Sequence, residues 1–159
     1  MIPNVQFATG VLVLTAAVLL YAAFTDLKHY KIGNELIVLL VALYFLHSLF
    51  ADRWTNAAWS IGFATGVFLF LLYFYSRHWI GGGDVKILSV AFLWAGIECA
   101  LPFVLLLLLF VSLHTVAARL AWVEARQNDS DGRLRIPFAP SIVAALIATI
   151  LLGCLGSPG

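Results

Sequence analysis

Eight carboxylates are present in this 159-residue chain, and two of them stand where a charge is expensive. Asp26 directly follows the unbroken apolar run Val5–Thr25, and Asp84 follows Gly81-Gly82-Gly83 at the start of another apolar stretch. A carboxylate this close to hydrocarbon implies a functional site with a partner, and each is the natural partner of the other. Two carboxylates in a partly desolvated site cannot easily both ionise, so they share a proton. The ionised member can then take a proton from water while the protonated one donates to a scissile carbonyl. The remaining six have plainer roles. Asp52 and Glu98 fall in loops on one side, Glu124, Asp129 and Asp131 in a polar loop on the other. Glu35 opens a helix, where a carboxylate suits the positive end of the dipole.

Each member of the pair also has a simpler explanation. Asp84 can act as an N-cap, and Asp26 can be neutralised by Lys28 or Lys31. Gly81 to Gly83 favour the catalytic reading, because residues without Cβ let another backbone approach and permit positive φ. A protease binds extended backbone, so bare backbone beside a carboxylate is useful to it. The glycines do not form a phosphate loop, since no Gly-Lys-Ser/Thr follows. Other constellations are weaker. HExxH is absent, so a zinc peptidase site is not expected. Ser48, Ser76 and Ser112 lie near His47, His78 and His114, but residues one or two apart on a helix do not face each other. His29 is close enough in sequence to tune Asp26, though an interfacial histidine needs no such role.

The elements that must position this pair are membrane helices. The chain is 63% hydrophobic and 11% charged, with mean hydropathy +1.01, against about 45–50% apolar and about 25% charged in a soluble domain. That excludes a water-soluble globule and a disordered chain. A net charge of +1 gives no basis for nucleic-acid binding. A spanning helix needs about 20 apolar residues. The spacing predicts helices over Val5–Thr25, Leu36–Phe50 and Ala57–Tyr75. The stretch from Val85 to about Ala118 is too long for one span. It reads as a short helix to about Gly96, a tight turn, and a helix from about Cys99 to Leu120. A last span covers Phe138 to about Leu155. The expected fold is therefore all-α, a polytopic membrane protein with about six transmembrane helices in a single domain, residues 1–159. No internal repeat is evident.

Orientation follows from the basic residues. Of the nine Lys and Arg, all but Arg53 fall in loops that share one side if both termini face outward. Asp26 and Asp84 are separated by two crossings, which returns both to that inner side. Trp54 and Trp59 then mark the outer interface, Trp79 and Trp122 the inner one. The first helix reads as a retained anchor, having no basic residue before it and no clear cleavage site. Cys99 and Cys154 match no metal or redox spacing and leave the compartment open.

Three segments carry a family resemblance: Asp26-Leu-Lys-His-Tyr-Lys-Ile-Gly-Asn34, Gly81-Gly-Gly-Asp84-Val-Lys86 and Ile136-Pro-Phe-Ala-Pro140. Together they resemble the type IV prepilin peptidases, membrane aspartic proteases with a Gly-x-Gly-Asp motif, and look most like the short peptidases of the tight-adherence (Flp) pilus systems. The resemblance implies Asp26 and Asp84 as the catalytic aspartates and Gly81, Gly83 and Lys86 as motif residues. Asn34 and Pro137 are further positions that shape the site or bind substrate. It implies a prepilin or pseudopilin substrate whose short basic cytoplasmic leader is removed after a glycine, just before its hydrophobic helix. The inner acidic residues Glu124, Asp129 and Asp131 could meet that leader. No cofactor, metal or nucleic acid is implied, and the setting is the bacterial inner membrane with the site at its cytoplasmic face.

Two departures matter. The family's Ile-Pro-Asn is Ile32-Gly33-Asn34 here, which predicts a more mobile loop with its chemistry intact. The Cys-x-x-Cys pairs of the larger, methylating members are absent, so methyltransferase activity is not expected. Ile136 to Pro140 reads either as the start of a helix or as a strand-like segment beside substrate. Presenilin-type proteases share Gly-x-Gly-Asp, but Thr25 precedes Asp26 here and Pro-Ala-Leu is absent. A non-catalytic membrane scaffold or a proton-coupled carrier component are the readings from other classes. A carrier should show repeats and midplane charges, and a scaffold should tolerate Asn at either aspartate.

Overall fold

A computed structural model describes residues 2–29, 33–51, 54–119, 126–127, 134–135 and 138–152, with side chains from 6–28, 33–51, 56–117 and 138–152. Six helices follow in order: α1 (Ile2–His29), α2 (Asn34–Phe50), α3 (Trp54–Ser76), α4 (Gly82–Ala95), α5 (Ala100–Arg119) and α6 (Ala139–Leu151). The only strands among the described residues are two short ones, β1 (Arg126–Gln127) and β2 (Leu134–Arg135). They pair antiparallel, with Arg126 opposite Arg135, inside the segment read from sequence as a plain polar loop.

The all-α polytopic expectation holds. Gln6–Lys28, Asn56–Ser76 and Ala100–Ala117 are long and apolar enough to cross a membrane, and Asn34–Phe50 and Ala139–Leu151 are shorter apolar helices. Their outer surfaces carry large apolar side chains such as Val13, Leu69, Leu105 and Leu151, which suits lipid as the surrounding solvent. Hydroxyls inside the helices have no water to turn to. Thr15, Ser48, Ser89 and Thr149 each bond the carbonyl four residues back, on Val11, Tyr44, Val85 and Ala145. That satisfies a polar group in apolar surroundings without a partner helix.

α4 is the short central helix. It packs on α2, α3 and α6 and buries Val85, Ile87, Val90, Ala91, Leu93, Trp94 and Ala95. Trp94 satisfies its indole N–H on the Leu40 carbonyl of α2 at 3.1 Å, as a buried Trp must. α4 ends where the sequence places a tight turn. Gly96 adopts φ 63°, and a Cβ there would meet Ser60 Oγ at 2.8 Å. Both constraints exclude a side chain. α5 then starts with Pro102 in its first turn, where a missing N–H leaves no helical bond unmade.

α6 is the last piece of the core. It packs on α5, α1 and α4 and buries Ala139, Ile142, Val143, Ala145 and Leu146. It stops at Leu151, short of the expected Leu155, which lies outside the described residues together with Cys154.

Candidate active site at the ends of α1, α4 and α6

Asp26 does not terminate its helix, as the break in hydropathy suggests. α1 continues to His29, because Leu27 and Lys28 are good helix formers and no breaker comes before Gly33. The carboxylate thus sits one turn inside α1, held at fixed pitch beside the helices that pack there. It is buried, at 8% exposure. Among the described residues Lys28 forms no ion pair with Asp26, and Lys31 lies outside them, as does the His29 side chain. The partner is instead the backbone N–H of Ala139, which donates to the Asp26 carboxylate. Its second oxygen, Oδ2, is buried with no hydrogen-bond partner among the described residues.

The geometry of α6 explains why that N–H is available. The first amides of a helix have no intrahelical acceptor. Here Ser141 and Ile142 both donate to the Phe138 carbonyl, and Pro140 has no N–H to give. Ala139 is left as the donor, at the positive end of the helix dipole, and it is aimed at a carboxylate. Of the Ile136–Pro140 segment, Ala139 and Pro140 form the first turn of α6, in line with the helix-start reading. Ile136 and Pro137 lie outside the described residues.

Asp84 sits in the first turn of α4, whose N-cap is Gly81. It is therefore not the cap, and no side chain caps this helix. Its carboxylate folds back over the chain, so that a Cβ on Gly81 would lie 3.0 Å from Asp84 Oδ2. A Cβ on Gly82 would come within 3.2 Å of the Tyr75 ring. Positive φ is not what these glycines supply. Gly81 is extended at φ −72°, and among the described glycines only Gly96 has positive φ. What needs the bare backbone is the Asp84 carboxylate itself and a neighbouring tyrosine. Gly83 lies within α4 and is half-buried.

The two carboxylates lie within electrostatic reach of each other although their helices do not pack directly. α1 touches α2 and α6, and α4 touches the same two, so α2 and α6 hold the pair together. Asp26 is the charge that acts on Asp84. A second tie crosses beside them, from Lys86 Nζ on α4 to Asn34 Oδ1 at the start of α2, at 2.8 Å. Sequence reasoning named both residues but did not pair them, being 52 positions apart. It quoted the Ile136–Pro140 segment but gave Ala139 no role of its own; a helix start whose second residue is proline is the one signal that a single free amide remains.

The serine and histidine pairs do not form, as helical spacing predicts. Ser48, Ser76 and Ser112 bond the carbonyls of Tyr44, Tyr73 and Leu108. Instead His114 approaches Ser141 of α6, at 3.4 Å from Nδ1 to Oγ. No group of three or more His, Cys, Asp or Glu is placed to hold a metal among the described residues. Glu124, Asp129 and Asp131 lie outside them.

At the opposite end of the bundle, Tyr44, His47, Ser60, Trp94, Gly96 and Glu98 line a pocket of about 110 Å³. Cys99 beside it is disulfide-bonded, which the sequence spacing gave no reason to expect.

One family model, described as the type IV leader peptidase family, matches residues 13–118. The match takes in Asp26, Asn34, Gly81, Gly83, Asp84 and Lys86 and stops before α6. No curated protein and no solved structure matches the chain.

Proposed function

Since the chain belongs to the type IV leader peptidase family, and so is a membrane protease of prepilin leaders, we propose that it is an aspartic endopeptidase whose dyad is Asp26 and Asp84. The observation that carries this reading is the charge of Asp26 acting on Asp84 across helices that do not pack together, with a buried Asp26 oxygen that has no hydrogen-bond partner among the described residues. A water between the pair loses a proton to the ionised carboxylate and attacks the peptide carbonyl, while the protonated carboxylate donates to the carbonyl oxygen. The leaving amine takes a proton back from the pair. The Ala139 amide orients Asp26, Gly81 leaves room for Asp84, and the Lys86–Asn34 bond fixes the start of α2 beside α4.

The substrate in this reading is a Flp-type prepilin, cut after a glycine at the end of a short basic leader. The whole chain, residues 1–159, acts as one peptidase domain, with α6 part of the site beyond the matched segment. The dyad faces the cytoplasm across the inner membrane, and both termini face outward. Two independent features support that orientation. The basic residues concentrate in loops on the dyad's side. Disulfides persist in oxidising compartments, and Cys99 stands beyond the end of α4 that is remote from Asp84.

Cleavage of a co-expressed Flp-type prepilin in membranes tests the proposal. Wild type converts the precursor to a faster-migrating product, and Asp26→Asn and Asp84→Asn at matched levels leave it uncut. Cleavage by either variant would remove that aspartate from the dyad.

A further inference from the structure

Beside Asp26 the surface is concave. Leu20 and Ala23 of α1 face Pro140, Ala144, Ala148 and Leu151 of α6 across a groove of about 450 Å³ with an almost wholly apolar lining. The groove follows the axis of α6 from Pro140 to Leu151, about 16 Å at about 1.5 Å per residue. Its two ends differ. One end, at Leu151, opens on the exposed apolar surface. The other closes on the site: Asp26 lies one turn beyond Ala23 on the same face of α1, and Pro140 directly follows the amide that holds Asp26. Asp26 there is more than nine-tenths buried, and its Oδ2 has no hydrogen-bond partner among the described residues.

We propose that this groove between α1 and α6 docks an apolar helical segment of the polypeptide substrate. The inference rests on Asp26 being catalytic. A leader peptidase must bring a peptide bond to that carboxylate, and chain adjoining the bond then runs along the surface that adjoins Asp26. That surface offers no hydrogen-bonding side chain. Backbone laid there must satisfy its own polar groups, which in a membrane means a helix. Ala144 and Ala148, one turn apart with Ala23 opposite, let a helix approach closely, the packing that holds helices together in lipid. A lipid chain fills apolar space anywhere on this protein and needs no path to Asp26. The groove therefore sets where the cut falls: the helix fills it up to Pro140, and the first unwound residues meet the dyad.

A photoreactive benzoylphenylalanine placed at Ala148 tests this, with Leu105 on the exposed face of α5 as the comparison position. Both are introduced into the Asp84→Asn enzyme and co-expressed with a Flp-type prepilin, which stays uncut. The expected result is a prepilin adduct from position 148 at least tenfold stronger than from 105, mapping to the substrate's apolar segment. Adducts from 148 only to lipid or to a second copy of this chain overturn the proposal, as does equal labelling from both sites. A second measurement stands if the substituted protein does not accumulate. Ala144→Leu narrows the groove and is expected to reduce at least tenfold the preference for full-length prepilin over a peptide lacking the apolar segment. An unaltered preference overturns the proposal. Failure of the dyad itself is registered separately, by continued cleavage in the Asp84→Asn parent.

Discussion

At the scale of single residues, the site depends on what is missing as much as on what is present. A methyl at Gly81 would lie 3.0 Å from Asp84 Oδ2, so Gly81→Ala must turn the carboxylate aside. Displacements of about 1 Å in a catalytic group can lower a rate about 100-fold. We expect Gly81→Ala to lower the cleavage rate about 10–100-fold while the protein accumulates normally in membranes, read by quantified cleavage and immunoblot. The acidity of the site gives a second expectation. A pair that works with one shared proton is active between its two macroscopic titrations. Above that window both carboxylates are charged and the acid is lost; below it both are protonated and the base is lost. The cleavage rate of the purified enzyme should therefore rise and fall with pH about an optimum near neutrality, and a flat profile from about pH 4 to about pH 9 contradicts a shared-proton pair. The residue types of the dyad were legible in the sequence because carboxylates against hydrocarbon are few. The Ala139 amide was not, since its role depends on a helix arriving from more than a hundred residues away.

At the scale of elements, two glycines separate conformational need from local accident. Gly96 carries φ 63° and crowds Ser60. Gly96→Ala should destabilise the α4–α5 turn by about 1–2 kcal/mol for the left-handed backbone alone, seen as a lower unfolding temperature in detergent. Gly33 is the opposite case. It has φ −64° and ψ 140°, with nothing within 4 Å of an added Cβ. Proline adopts that φ without strain, so Gly33→Pro should raise stability by about 0.4–1 kcal/mol through the unfolded chain, with cleavage retained. This is the position where the sequence departs from the family's Ile-Pro-Asn, and the backbone keeps a conformation that proline would also adopt. The number of helices and the turn at Gly96 were legible from apolar runs and their breaks. Helix ends were less so. Hydropathy ends at Asp26, but helical hydrogen bonding continues while no Gly or Pro intervenes, so α1 carries its aspartate inside the last turn.

At the scale of the whole molecule, α4 at the centre and the two helices that bridge it to α1 make the site a product of the bundle. Two crossings between Asp26 and Asp84 could be counted from the sequence. The bridging by α2 and α6 could not, because packing partners in a membrane are chosen by shape and not by hydropathy. Trp59 and Trp79, each about three-quarters exposed, stand toward opposite ends of α3, as interfacial anchors would. If the dyad faces the cytoplasm, alkaline phosphatase fused after Leu152 should be active, and the same enzyme fused after His78 should be inactive. The reverse pattern contradicts the proposed orientation.

The most direct test of the central claim is the single-turnover cleavage rate of purified wild type, Asp26→Asn, Asp84→Asn and the double variant on one Flp-type prepilin. Residues that act as a unit are not additive. The account predicts that each single substitution reduces the rate by at least about 1,000-fold and that the double variant is no slower than either, as for residues that act together. Substantial cleavage by one single variant, or losses that multiply in the double, would contradict a shared-proton dyad.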